Sequence, residues 1–151
     1  MLSPEQKYGL RGEIWVARKL EQLGYDVKML RDFNADYDLL VDGLVKVEVK
    51  TARKKLYRKR GDKFRYRWQF KTANFYPREE MAIVFLCETF TGFFPFVTFG
   101  SLVKGRLTVQ VTSAPVYYRG WLAPWRDAWW VIDRVKQYAL KSSPQLEFAW
   151  I

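Results

Sequence analysis

Hydrophobic residues recur at helical spacing near both ends of the chain. The first pattern predicts an amphipathic helix over residues 4–24, with Ser3 as N-cap, Pro4 in the first turn and Gly24 as the stop. Its apolar stripe consists of Leu10, Ile14, Ala17, Leu20 and Leu23. A second helix is predicted over residues 124–140, with its apolar side formed by Trp125, Ala128, Trp129, Ile132, Val135 and Leu140.

Between these helices the pattern changes to strands. Asp32-Phe33-Asn34-Ala35 is predicted to be a loop, and residues 53–62 a basic connection with a turn at Gly61-Asp62. Because proline has no backbone N–H to donate, Pro95 predicts that the strand at residues 93–99 lies at the edge of a sheet. Strands are predicted at residues 25–31, 36–41, 44–53, 63–70, 81–87, 93–99 and 107–112. The order of helix, strands and helix predicts an α/β or α+β fold.

The two strands around Asp42-Gly43 constrain their own register. Tyr37, Leu39 and Val41 share one face of the first strand, and three valines, Val45, Val47 and Val49, share one face of the second. Both apolar rows must face one core, and cross-strand partners share a face, so odd positions must pair with odd positions. A two-residue turn would break this parity. We therefore expect an odd-length loop, with Gly43 near the left-handed conformation.

Composition limits the classes of protein to which the chain can belong. Its 151 residues, 49% of them hydrophobic, indicate a single domain with a real core. No apolar run approaches the roughly 20 residues of a membrane span, and the start shows no signal peptide, so we expect a cytoplasmic protein. The lone Cys87 fits a reducing compartment. The absence of histidine excludes Cys/His zinc sites, Ser-His-Asp triads and nucleases with an imidazole base.

The net charge of +10 comes from one window. Residues 50–71 hold 11 of the 26 Lys and Arg residues and one acid, Asp62, whereas the other residues hold 15 basic and 15 acidic side chains. Such a concentration on a neutral body favours a polyanion partner, here a nucleic acid, over a solvated loop. The aromatics Phe64, Tyr66, Trp68 and Phe70 are expected to face the core. The expected phosphate contacts are Arg53, Lys54, Lys55, Arg58, Lys59, Arg60, Lys63, Arg65 and Arg67.

The predicted hairpin also carries the candidate chemistry. The expected register places Asp38 opposite or diagonal to Glu48, close enough for the two carboxylates to share a divalent cation, with Lys50 next on the same face. Glu13 lies on the apolar stripe of the first helix, where a carboxylate needs a partner. Such a site would hold Mg²⁺ to activate water, with the lysine offsetting developing charge. A solvent-exposed polar face of the hairpin is the structural alternative.

These residues resemble the PD-(D/E)XK nuclease superfamily. Asp38 and Glu48-Val49-Lys50 follow a helix bearing Gly12-Glu13, and residues 34–41 and 47–52 are similar to archaeal Holliday-junction resolvases and to small intron-encoded homing endonucleases of cyanobacteria. The resemblance covers residues 8–53. It implies a restriction-endonuclease-like central mixed sheet flanked by the two helices, with Asp38 and Glu48 as metal ligands, Lys50 as the catalytic lysine and Glu13 as the helix acid.

The resemblance implies Mg²⁺-dependent hydrolysis of DNA phosphodiester bonds, with Mn²⁺ expected to substitute and no small-molecule cofactor. The DNA is expected to be duplex or branched. We expect a homodimer or homotetramer encoded by a cell, a phage or a mobile element, with the tryptophan-rich last third as a candidate interface. Two alternatives stay open from sequence: a non-catalytic nucleic-acid-binding module on a nuclease fold, and an RNA-processing nuclease.

Overall fold

In a computed structural model, which describes residues 1–30, 36–58 and 64–142, the chain folds into three α-helices and eight β-strands. Two short 3₁₀ turns, Pro115–Tyr117 and Ala123–Trp125, precede the last helix. The elements are α1 (Pro4–Gln22), β1 (Val27–Met29), β2 (Leu39–Val41), β3 (Val45–Ala52), β4 (Lys55–Arg58), β5 (Phe64–Lys71), β6 (Ala82–Thr89), β7 (Gly92–Phe99), α2 (Gly100–Val103), β8 (Thr108–Val111) and α3 (Trp130–Lys141).

The strands form two sheets. A five-stranded sheet has the order β1-β2-β3-β6-β7, and a three-stranded sheet has the order β4-β5-β8. Only β3 and β6 pair in parallel among the described strands, and the crossover between them is built from β4 and β5. The structure confirms a mixed α/β fold with an N-terminal and a C-terminal helix, and β7 lies at a sheet edge as Pro95 predicted.

β6 is buried on both faces because it lies between two layers. Its even-numbered residues, such as Val84, pack in a core with α1 and α3, whereas its odd-numbered residues, such as Phe85, pack against the three-stranded sheet. This explains why residues 81–87 form a continuous apolar run instead of an alternating one. Cys87 is a buried free thiol in the second of these cores.

α1 packs closely on the end of β3. The helix begins with a capping box in which Ser3 accepts from the Gln6 N–H and the Gln6 side chain accepts from the Ser3 N–H. A Cβ built on Gly12 would lie 2.0 Å from Thr51 Oγ1, so only glycine allows this approach. Glycine at this position therefore brings the next residue, Glu13, down to the level of β3.

The hairpin of β2 and β3 has the predicted register. Val41 pairs with Val45 and Leu39 with Val47, which leaves a three-residue loop and keeps odd positions opposite odd positions. Asp42 and Gly43 in this loop have φ values of 51° and 68°, in the left-handed region that favours glycine. The ladder ends at Leu39 and Val47, so the preceding residue of the chain, Asp38, lies beside the part of β3 that carries Glu48.

The C-terminal helix begins at Trp130, and the prediction of a helix from residue 124 was wrong at that end. The segment before it is bound to the edge of β7: the Asp127 N–H donates to the Pro95 carbonyl at 2.9 Å, and Arg126 forms a β-bridge with Phe96. Asp127 also has φ 51°. Pairing with a strand edge and a left-handed residue are both incompatible with a continuous helix.

Other boundaries also differ from the prediction. The basic connection contains β4, whose backbone pairs antiparallel with the first half of β5. Tyr66 is half exposed and does not face the core, whereas Trp68 and Phe70 are buried as expected. β1 and β2 are three residues each, shorter than predicted. The predicted loop at residues 32–35 and the Gly61-Asp62 turn lie outside the described residues.

The helices of the described residues include none whose length and apolar character would suit a membrane span.

Candidate active site

Asp38 continues the hydrogen bonding between β2 and β3 just before β2 begins, first with its backbone and then with its carboxylate. The Asp38 N–H donates to the Val47 carbonyl at 2.9 Å, and β2 begins at the following residue. Two residues further along β3, the Val49 N–H donates to Asp38 Oδ2 at 2.7 Å instead of to a strand carbonyl. This bond fixes the carboxylate in place and leaves its second oxygen, Oδ1, for other partners.

Glu48 and Lys50 follow on one face of β3. Lys50 Nζ lies 3.6 Å from Glu48 Oε1. The Glu48 side chain is only 16% exposed, while that of Lys50 is 32% exposed. The negative charge is thus largely withdrawn from water, and the amine reaches toward solvent, where a phosphate could approach it.

Glu13 joins this group from α1. Its side chain hydrogen-bonds with Asp38, and it lies near enough to Glu48 to be affected by that charge. The structure therefore brings together all four residues that the sequence singled out at this site, Glu13, Asp38, Glu48 and Lys50. They come from three places: the helix α1, the residue just before the short strand β2, and the antiparallel strand beside it, β3.

Burial raises the proton affinity of all three carboxyl groups. Desolvation, helped by the charge and hydrogen bond of Asp38, raises the pKa of Glu13 to about 8. Burial and the charge of Asp38 raise the pKa of Glu48 to about 7, against the opposing effect of Lys50. The pKa of Asp38 is raised by burial, although the Val49 N–H, Glu13 and Lys50 work in the opposite direction. The hydrogen bond between the two groups raises the pKa of Glu13 and lowers that of Asp38, so Glu13 is its donor.

The donor set fits a magnesium ion shared with substrate. No three His, Cys, Asp or Glu side chains within residues 1–30, 36–58 and 64–142 are arranged to hold a metal ion by themselves. Asp38 and Glu48 offer two carboxylates, and Mg²⁺ is commonly held by one or two carboxylates together with waters and substrate phosphates. Glu13 can act beside them as a hydrogen-bonding partner that orients Asp38.

A cleft of about 600 Å³ opens beside Glu48 and Lys50. Its opposite wall is a segment before β6 that the sequence analysis did not single out, with Asn74, Tyr76, Arg78 and Glu79 among its lining residues. Glu79 pairs with Lys46, which lies on the same face of β3 as Glu48 and Lys50. The parallel pairing of β3 with β6 brings this segment here, and no local sequence signal announces such a pairing.

The basic window, residues 50–71, begins within the last residues of β3 and continues beyond its end. Arg53 Nε lies 3.6 Å from Glu88 Oε2, and its guanidinium covers the ring of Tyr8 at 4.2 Å from the centroid. Tyr8 in turn donates to Glu88 at 2.7 Å. Lys54 Nζ lies over the rings of Tyr66 and Phe90, and Lys55 is exposed. These cations surround the far end of β3, beyond the carboxyl groups.

The rest of the predicted phosphate-binding set is divided between described and undescribed parts of the chain. Arg58 and Arg65 belong to β4 and β5, and they pair with Phe64 and Tyr57. Arg67 is half-buried and lies opposite Lys55. Lys59, Arg60 and Lys63 lie outside the described residues.

Comparison with known proteins finds a likeness among solved structures. No family model matches the sequence, and no curated protein matches it. Among solved structures, the fold is similar to that of a bacterial homing endonuclease, I-Ssp6803I, with a TM-score of 0.63. The match covers 93% of this chain and all of the other chain at 16% sequence identity. At this identity the likeness shows a shared nuclease-like fold.

Removing the charge of Glu13 is expected to stabilise the metal-free protein at higher pH. Because the folded state raises the pKa of Glu13 from 4.5 to about 8, the stability associated with its proton is complete below pH 4.5 and lost as the pH rises to about 8. Glu13→Gln keeps a hydrogen-bond donor to Asp38 without this loss. In EDTA we expect equal melting temperatures at pH 4.5 and a melting temperature about 2–5 °C above wild type at pH 8.5.

Glu21→Gln is the matched control, because Glu21 is an exposed acid on the same helix. Its melting temperature should follow that of wild type at both pH values. A Glu13→Gln protein with the same pH profile as wild type would contradict the buried carboxyl cluster.

Proposed function

We propose that this chain is a single-domain, Mg²⁺-dependent endonuclease of the PD-(D/E)XK type that cuts DNA. The observation that supports the proposal most is the meeting of Glu13, Asp38, Glu48 and Lys50 in one cluster, of which Glu48 and Lys50 line an exposed cleft. Two buried carboxylates beside a lysine are expensive to keep in a fold and serve no packing purpose. The fold shared with a homing endonuclease supports the same conclusion.

Each residue has a role that follows from its position. Asp38, held by the Val49 N–H, and Glu48 would hold Mg²⁺, which supplies polarisation of a phosphoryl oxygen and a bound water of lowered pKa. Lys50 lies beside Glu48 and reaches toward the cleft, so its amine can orient that water or offset charge developing on the phosphate. Glu13 holds a proton against Asp38 and fixes the orientation of its carboxylate.

The basic strands favour a nucleic acid as substrate. The first half of β5 pairs with β4 and the second half with β8, so β4 and the start of β5 form a two-stranded ribbon. A β-ribbon of this width enters the major groove of duplex DNA. Ribbon and carboxyl cluster are joined directly through β3, which would allow one duplex to contact both.

Substrate class can be decided by one comparison. The protein is incubated with supercoiled plasmid, a synthetic four-way junction and a structured RNA, each with Mg²⁺ and with EDTA. Cutting of plasmid at few positions would indicate a homing-endonuclease-like enzyme, and selective cutting of the junction a resolvase-like enzyme. Binding without cutting under all conditions would indicate a non-catalytic module, and cutting of RNA alone an RNA-processing enzyme.

We also propose that the active form is a homodimer or homotetramer. The described part of one chain contributes one such carboxyl cluster, whereas cutting both strands of a duplex needs two sites, and symmetric assemblies supply them. Sedimentation of the protein with and without DNA measures this directly.

Loss of either carboxylate should abolish cleavage but not binding. We expect Asp38→Asn and Glu48→Gln to lower the Mg²⁺-dependent cleavage rate by at least about 10²-fold, because each removes a negative ligand. DNA affinity in EDTA should stay equal or rise, since a charge that repels phosphate is gone. Glu79→Gln removes the same charge from the opposite wall of the cleft and should keep most of the activity. Wild-type rates in Glu48→Gln would refute the assigned site.

Lys50 should act on the rate and not on binding. Lys50→Ala is expected to slow single-turnover cleavage by about 10²-fold, in the range found for lost electrostatic donors. DNA affinity should change by less than about tenfold, because one phosphate contact among many contributes little. Lys46→Ala is the matched control from the same face of β3. Equal losses of rate and affinity would reduce Lys50 to a phosphate contact.

The basic ribbon should determine the salt dependence of binding. Each lost phosphate contact reduces the slope of log affinity against log salt by roughly 0.9. Replacing Lys55 and Arg58 together by Gln should therefore flatten the slope by up to about 1.8. Lys104 and Lys141, replaced together, remove equal charge from outside the ribbon and should leave the slope near that of wild type. Equal slopes in the two double variants would show that the ribbon does not contact phosphate.

A further inference from the structure

The turn between β6 and β7 presents a phenylalanine to solvent. Thr89 pairs with Gly92, so the turn consists of Phe90 and Thr91 alone. The Thr89 hydroxyl donates to the Gly92 carbonyl at 2.8 Å, and Gly92 takes φ 121°, so the turn is well defined. Phe90 is 97% exposed and buries almost nothing. The Phe90 side chain therefore contributes nothing to the core, and its ring is available to contact a ligand.

Phe90 belongs to a patch that combines aromatic rings with positive charge. Lys54 Nζ lies 4.7 Å from the centroid of Phe90 and 4.2 Å from that of Tyr66, which is itself half exposed. A cavity of about 520 Å³ opens beside Phe90, and Arg53, Lys54 and Trp68 are among its lining residues. Its volume lies within the range of small-molecule pockets, so a single nucleobase can enter it.

We propose that Phe90, with Tyr66 and Lys54 beside it, is a stacking wedge that receives an unstacked base of deformed duplex DNA. The inference rests on the proposed function, and it specifies the substrate further: DNA that is kinked, bulged or locally opened. Aromatic wedges inserted at a base step pay for unstacking with new contacts, and base–aromatic stacking accepts any base. The lysine between the rings meets the phosphates that flank the displaced base.

The register of the parallel strands gives the distance between wedge and cut. Glu48 lies opposite Ile83, and Phe90 follows seven residues later on the same strand and its turn. At about 3.3 Å per residue this separation is about 23 Å. It corresponds to roughly seven base pairs of B-form DNA. The deformation would therefore lie about half a turn or more of the duplex away from the scissile phosphate.

Charge favours DNA over a second copy of the chain as the occupant of this patch. Lys54 lies over both rings, and the exposed Arg53 lines the same cavity together with one acid, Glu88, to which Arg53 is paired. The cores of protein–protein interfaces are depleted in charge, and in lysine above all. Exposed rings interleaved with lysine and arginine match an anionic ligand that offers flat apolar faces.

The test is binding in EDTA to two duplexes that differ by one unpaired nucleotide. We expect the wild-type protein to prefer the bulged duplex, and Phe90→Ala to lose about tenfold in affinity for it, within the range of base–aromatic stacking. Phe90→Trp should keep the preference. The salt slope of Phe90→Ala should equal that of wild type, because no charge is removed. Tyr138→Ala, which removes a half-exposed aromatic ring from α3, should bind both duplexes as wild type does.

An unchanged preference in Phe90→Ala would overturn the wedge. A second result would also overturn it. If sedimentation shows that Phe90→Ala loses an oligomer, and the affinities for both duplexes fall together, Phe90 makes a contact between protein chains instead. Cleavage with Mg²⁺ tests the proposed function separately: a wild-type protein that cuts DNA with no effect of Phe90 keeps the nuclease and refutes the wedge. Phe90-dependent binding without any cutting keeps the wedge and refutes the nuclease. A protein that binds neither duplex refutes the wedge and the nuclease together.

Discussion

The approach of α1 to β3 at Gly12 is the contact on which the candidate site depends. Any side chain at this position would collide with Thr51, so the helix could not lie so low on the strand. Because the helix lies low, its next residue, Glu13, reaches Asp38. The same packing carries Tyr8, one turn earlier, to Glu88 and Arg53 at the end of β3. One glycine thus aligns the helix with both the carboxyl cluster and the start of the basic strands.

The carboxyl cluster opposes folding, and the rest of the molecule must compensate for it. Burial raises the pKa of Glu13, Asp38 and Glu48 together, and among the described residues Lys50 is the cation in direct contact with them. Compensation comes from the two apolar layers that enclose β6 and from the Val49 N–H, which binds Asp38 where a strand would otherwise continue. Groups whose environment favours protonation are poised to bind a cation, because metal binding replaces protons. The burial of the carboxyl groups that opposes folding is therefore also what favours the proposed metal binding.

The sequence was most informative where local geometry decides the outcome. The parity of Leu39, Val41, Val45 and Val47 predicted an odd-length loop, and the register that this loop sets brings Asp38 close to Glu48. The stripe of α1 predicted that Glu13 faces inward. Long-range pairing was not predictable in this way: β4 and the wall of the cleft at Asn74–Glu79 depend on which strands meet, and residue spacing carries no such information. The helix predicted from residue 124 began six residues later, because Arg126 and Asp127 bind the edge of β7. Phe90 drew no attention in the sequence, since only its near-complete exposure distinguishes it from a core phenylalanine.

The parallel pair of β3 and β6 gives the proposed chemistry and the proposed binding a common axis. Along β3 the side chains change from the carboxylate of Glu48, beside Asp38, through Lys50, to the cations Arg53 and Lys54 just beyond the end of the strand. β6 runs in the same direction and ends beside those cations at Phe90. Negative groups that bind a metal would repel phosphate if they lay among the DNA contacts, whereas a separation of several residues along a rigid strand exceeds the screening length at physiological salt. In the proposed enzyme, attraction for the DNA backbone is therefore kept away from the carboxylates, and Lys50, between the two groups, can serve the chemistry as well as the binding.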